Sequence, residues 1–142
     1  MRRYLVVAHR TLGGAHLMEH LHHLREEDPY CRFHLVVPRY HLPTGPRLEA
    51  DEKEVAREAL DEMLDRMAAM GMGATGDIGD ANPVLAVGDA IRREGEANIT
   101  AIIVSTLPRR TSAWLRGAVP DRIAKRFPMI PVSHVVAEEA IV

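Results

Sequence analysis

AIIVSTLPRRTSAWLRGAVPDRIAKRFPMIPVSHVVA, residues 101–137, decides the reading of this chain. Its opening, Ala101-Ile-Ile-Val104, is a short apolar run with the character of a strand buried on both faces. A loop rich in hydroxyls and arginines follows, from Ser105 to Ser112. Residues 112–127 are helical in parts, because Gly117 and Pro120 interrupt them, and the durable portion is expected to begin near Pro120. Pro131 to Val136 then returns to a strand pattern. Strand, loop, helix and strand within 37 residues make one βαβ unit, whose two strands run parallel.

The same alternation extends back to the start of the chain. Tyr4-Leu-Val-Val-Ala8 is a second wholly apolar run, expected to lie beside 101–104 at the centre of the sheet. Leu12 to Glu27 has the helical spacing i, i+4, i+7 at Leu17, Leu21 and Leu24, and Asp28-Pro29 stops it. Cys31 to Val37 is the next strand. Residues 38–46 hold three prolines and a glycine and form a loop. A helix over Glu49–Met70 is expected to bury Val55, Ala59, Met63 and Met67, with Gly71 and Gly73 behind it. The strand over Ala74–Gly79 has the weakest signal, since Gly76 and Asp77 are poor strand formers. Asn82-Pro83 supplies an N-cap and a first-turn proline for a helix through Arg93. The expectation is a single domain, residues 1–142: an open parallel five-stranded sheet with helices on both faces.

Composition narrows the function classes. The chain has 142 residues, 18 basic and 20 acidic groups and a net charge of −2, so nothing marks a nucleic-acid partner. Lys53 and Lys125 are the only lysines; the remaining basic residues are arginines, which suit carboxylate and phosphate recognition. The single cysteine, Cys31, excludes an intramolecular disulfide and fits a reducing compartment. The apolar run after Met1-Arg2-Arg3 is too short for a secretory leader, and no stretch approaches the ~18 apolar residues of a membrane span. A cytoplasmic protein without membrane contacts is expected.

In open α/β sheets ligands bind beyond the carboxyl ends of the strands, where the strand order reverses. The two most apolar strands therefore direct attention to the segments that leave them. The first contributes His9, Arg10, Gly13 and Gly14; the other contributes Ser105, Arg109, Arg110 and Ser112. Val37, at the end of the second strand, completes the set. Backbone N–H groups at a helix start together with paired guanidinium groups suit a small anion.

The order of elements resembles that of the universal stress protein family. Residues 101–137 match its C-terminal signature of an apolar strand, Gly-x2-Gly-x9-Gly-Ser/Thr, a helix and a closing Pro-Val strand. RYLVVAH is similar to its first strand, and Gly79-Asp80 before Asn82-Pro83 to its Gly-Asp-Pro turn. The resemblance implies an adenine nucleotide α-hydrolase-like sheet of order 3-2-1-4-5, a nucleotide pocket, and homodimerisation through the last strand, residues 131–136. An apolar edge strand would need such cover in any case. The nucleotide motif is degenerate. His9 stands at the family's acidic position, Ser105 and Pro108 at the first two glycines, and Gly117-Ala118 at the final Gly-Ser/Thr. Proline brings no N–H to a phosphate. The resemblance thus leads to a stress-associated or regulatory binding protein without catalysis, whose ligand is ATP in an altered mode, another nucleotide or a different anion.

Two enzymatic readings compete. His16-Leu-Met-Glu19-His20 has the H-x-x-E-H spacing of a zinc-peptidase signature, with both histidines on one helix face, so a metal-dependent hydrolase would use His16, Glu19 and His20. The chain is short for such an enzyme, and the motif falls on a helix already assigned to the α/β frame. A nucleotide-hydrolysing enzyme would instead use Gly13-Gly14 as a phosphate loop.

Overall fold

Three consecutive fully buried residues, Leu5, Val6 and Val7, place the first strand inside the protein on both faces. Each such side chain contributes about 1.5–3 kcal/mol through burial alone. The computed structural model describes residues 2–8, 12, 14–39, 49–108 and 113–136. Along these run β1 (Arg3–Val7), α1 (Ala15–Glu27), β2 (Arg32–Pro38), α2 (Glu49–Ala69), β3 (Gly73–Gly79), α3 (Pro83–Glu94), β4 (Ala101–Thr106), α4 (Ala113–Arg116), α5 (Val119–Arg126) and β5 (Val132–Val136). The five strands form one sheet of order β3-β2-β1-β4-β5, and every pairing is parallel. Fold class and strand order are therefore as expected from the sequence.

The pleat divides the core in two. Tyr4, Val6 and Ala8 of the first strand and its exit join Phe33, Leu35 and Val37 beneath α1 and α2. Leu5 and Val7 join Val36, Ile102 and Val104 beneath α3 and α5. The helices before β3 cover one face and those after it the other, so the crossovers change direction between β1 and β4. That is the topological switch point.

Several boundaries and faces differ from the sequence reading. Helix α1 begins at Ala15 rather than Leu12, with Gly14 as N-cap and no side-chain cap bond. The buried stripe of α2 is Ala56, Leu60, Met63 and Met67, while Val55 is 38% exposed. The stripe starting from Ala56 keeps i, i+4, i+7, i+11 spacing and brings in Leu60, which buries more apolar surface than Ala59 would. Strand β4 continues to Thr106, so Ser105 is a strand residue and not part of the following loop. The 112–127 region splits into α4 and α5, joined at Gly117-Ala118, where Ala118 takes the left-handed conformation (φ 54°, ψ 39°). As expected, Asn82 caps α3: its Oδ1 accepts from the Val84 N–H at 3.0 Å, and Pro83 opens the helix.

The glycines that weakened the β3 signal have a steric cause. Gly76 faces Leu60 of α2, and Gly79 faces Ala86 of α3 on the other side of the sheet. A Cβ at Gly79 would lie 2.6 Å from the Ala86 Cβ and 3.3 Å from its Cα. The helix therefore approaches the sheet more closely than any side chain would allow. Replacing Gly79 by Ala is expected to destabilise the protein by about 1–3 kcal/mol in urea unfolding. Gly73→Ala, whose Cβ would meet only the Arg32 side chain at 3.6 Å, is expected to cost clearly less.

Candidate functional site

Parallel register brings three strand ends to one level. Val7 pairs with Val36 on one side and Val104 on the other. The next residues, Ala8, Val37 and Ser105, therefore lie in a row at the carboxyl edge of the three central strands. The Ala8 N–H continues the ladder to the Val36 carbonyl at 3.3 Å. All three residues are buried, Ala8 and Val37 in the core layer beneath α1. A small residue, a branched apolar residue and a hydroxyl thus form the floor at the switch point. Gly14 stands where α1 starts from this edge, and its carbonyl accepts the first helical bond from the Met18 N–H at 3.1 Å. The N–H groups of the first turn have no partner within a helix and make that end electropositive.

Of the residues singled out from sequence, Gly14, Val37 and Ser105 belong to this edge. Gly117 is exposed between α4 and α5. His9, Arg10, Gly13, Arg109, Arg110 and Ser112 lie outside the described residues. Beside the floor, the buried Thr106 Oγ1 is 2.7 Å from His134 Nε2 on β5, which fixes the edge strand to its neighbour. Partial burial pushes the His134 pKa below its ordinary value, and Asp121 opposes the shift.

The H-x-x-E-H helix has a different character. His16 and Glu19 are exposed and His20 is half-buried. The His20 pKa is lowered, chiefly by burial and then by the charges of His23 and His16. His22 and His23 lie 3.2 and 3.8 Å from Glu26 and Glu27, one turn on. Among the described residues, no group of three or more His, Cys, Asp or Glu side chains is arranged to hold a metal ion. Cys31 is buried and its thiol pushed up, first by burial and then by Asp28, as befits a core residue rather than a nucleophile.

One polar cluster had gone unread in the sequence. His34, 4% exposed on β2, has its Nδ1 2.7 Å from Thr75 Oγ1. Its Nε2 is 3.2 Å from Asp77 Oδ2, close enough for ion pairing but not aligned for a hydrogen bond. Glu94 lies 3.7 Å from Nδ1 and is held by Arg3 at 2.8 Å, while Arg93 reaches Asp77 at 3.4 Å. The available signal was the histidine within Phe33-His34-Leu35-Val36-Val37, since a polar ring in a buried strand requires partners. The cluster sits towards the amino end of the sheet, away from the switch point, and ties β1, β2, β3 and α3 together.

Solved structures similar in shape to this chain include two of the universal stress protein family. A universal stress protein family member from Burkholderia pseudomallei superposes with a TM-score of 0.63 at 18% identity, covering 93% of each chain. A universal stress protein family protein from Arabidopsis thaliana, crystallised with AMP bound, gives a TM-score of 0.58 at 10% identity, covering 96% of this chain and 92% of that one. The fold is that of the universal stress proteins. No family model matches the sequence, and no curated protein matches it. The backbone thus shows an arrangement that the sequence carries only in outline. Among the described residues, no helix is long and apolar enough to cross a membrane.

The two lowered histidines set a pH dependence. Their folded pKa values lie below the ordinary 6.5, so between these values the unfolded chain binds more protons. Stability contributed by the neutral rings is present above pH 6.5 and is lost as pH falls below it. The melting temperature is expected to drop on acidification through this window. Substituting both His20 and His134 by Gln should flatten that part of the profile, as followed by circular dichroism.

Proposed function

We propose that this chain is a divergent universal stress protein that binds a nucleotide or another small anion at the switch point, without turning it over, and works as a homodimer. The observation that carries this reading is the row Ala8, Val37 and Ser105 at the carboxyl edge of the central strands, with the start of α1 beside it, in a fold whose Arabidopsis counterpart holds AMP. Arg109 and Arg110, which follow β4 in the sequence, would supply the charge that the family's lost glycines no longer organise. The departures at His9, Pro108 and Ala118 favour an altered mode of binding over the usual one. Stress-associated regulation follows from family likeness and dimerisation from the edge position of β5.

Thermal unfolding with ATP, AMP, simple phosphates and Zn²⁺ tests the ligand. A ligand at about 100 times its Kd should stabilise the fold by roughly 2.7 kcal/mol. A nucleotide is expected to raise the melting temperature, and the double variant Arg109→Ala, Arg110→Ala to abolish the rise. A shift with Zn²⁺ alone, lost in His20→Ala, would overturn the assignment. For the dimer, β5 offers an edge on which Val136 is 40% exposed, Val135 being covered beneath α1 and Val132 packing on the opposite core. Light scattering is expected to give twice the chain mass, and Val136→Lys to lower it towards the monomer.

A further inference from the structure

On the outer side of the α3–α5 layer, away from the row of strand ends, the two helices bound a groove of about 480 Å³. Arg92 enters it from α3, and Arg122, Lys125 and Arg126 enter it from α5. Arg92 is paired with Asp89 of its own helix. Among the described residues, none of the three α5 cations has a carboxylate within ion-pair distance.

Helix stability does not account for this arrangement. Lys125 and Arg126 occupy the last turn of α5, where positive charge is favourable, but Arg122 lies near its amino end, where it is not. Arg122 also stands three and four residues from the other two cations, a spacing at which like charges repel. Nor does an overall basic composition explain it, because the chain carries a net charge of −2. The floor of the groove provides a separate observation. Gly88 sits within α3, where glycine costs about 1 kcal/mol relative to alanine. A Cβ there would meet Phe127 at 3.6 Å and Arg92 at 3.9 Å, which are ordinary contact distances. Helix packing therefore does not require the glycine, which lines the groove.

We propose that the groove between α3 and α5 is a second anion site, which binds a compact polyanion of the polyphosphate class through Arg92, Arg122, Lys125 and Arg126. Guanidinium groups from two facing helices can each grip a phosphate through two parallel hydrogen bonds. Among the described residues no aromatic side chain lines the groove, so it is suited to phosphate charge rather than to a base. The site is separate from the proposed nucleotide pocket and does not depend on it.

Titration of the full chain with tripolyphosphate at low salt, followed by calorimetry and by amide chemical shifts, tests the proposal. One site is expected, with shifts centred on Gly88, Arg92 and Arg122. Arg122→Gln with Arg126→Gln should weaken binding at least tenfold, and Gly88→Ala should weaken it with the fold intact. Unchanged affinity in the double variant, or shifts confined to the ends of β1 and β4, would overturn it. Equal or tighter binding of an oligoglutamate peptide would overturn the phosphate assignment in favour of an acidic protein partner. An AMP-induced rise in melting temperature that survives in the Arg122→Gln, Arg126→Gln variant would show the two sites to be independent, whatever the outcome for tripolyphosphate.

Discussion

β1 is hydrogen-bonded to β2 on one side and to β4 on the other, and helices cover both of its faces. No residue of Leu5–Val7 reaches solvent, so neither a polar side chain nor a register slip is tolerated there. The constraint fixes more than stability. Because β1 is held in register with both neighbours, Ala8, Val37 and Ser105 come to one level although they are widely separated in sequence. The helices that follow β1 and β4 lie on opposite faces of the sheet, which makes this level the topological switch point. The floor of the candidate site is thus a consequence of how the central strand is paired.

The elements that the sequence declared most clearly are those whose local chemistry and tertiary role agree. The apolar runs 4–8 and 101–104 are central strands, and Asn82-Pro83 caps a helix by the ordinary bond. Elements that were harder to read are set by distant partners. Nothing local explains why β3 contains Gly76 and Gly79; Leu60 and Ala86 do, from opposite faces. The stripe of α2 was displaced because Val55 outranks Ala56 in apolarity, while the fold rewards the face that carries Leu60. The H-x-x-E-H spacing was real as geometry, with His20 sensing His16 and His23, yet no described residue from another element joins them. His34 was passed over because its partners, Thr75, Asp77 and Glu94, converge on it only once β2, β3 and α3 are assembled.

Polar and apolar work are separated along the sheet. At the carboxyl edge the three central strands present Ala8, Val37 and Ser105 in one row. Towards the amino edge the His34 cluster and the Arg3–Glu94 pair fasten α3 to the strands. This polar network holds its end of the layer, since it is specific in geometry as well as favourable in energy. The chain resembles the two universal stress proteins less in sequence than in shape, because the frame depends on apolar patterns that many side chains satisfy.

The strand order also bears on synthesis. β1 emerges from the ribosome first and soon finds β2, but its other neighbour, β4, is translated about 90 residues later. At roughly 5–20 residues per second, β1 keeps one open hydrogen-bonding edge for about 5–20 s. During that interval the nascent chain presents a sticky, half-finished sheet, and the polar, strongly charged α2, made in the meantime, screens only one of its faces. The central position that makes β1 the anchor of the finished fold also makes it the segment most exposed to misassembly while the chain is being made.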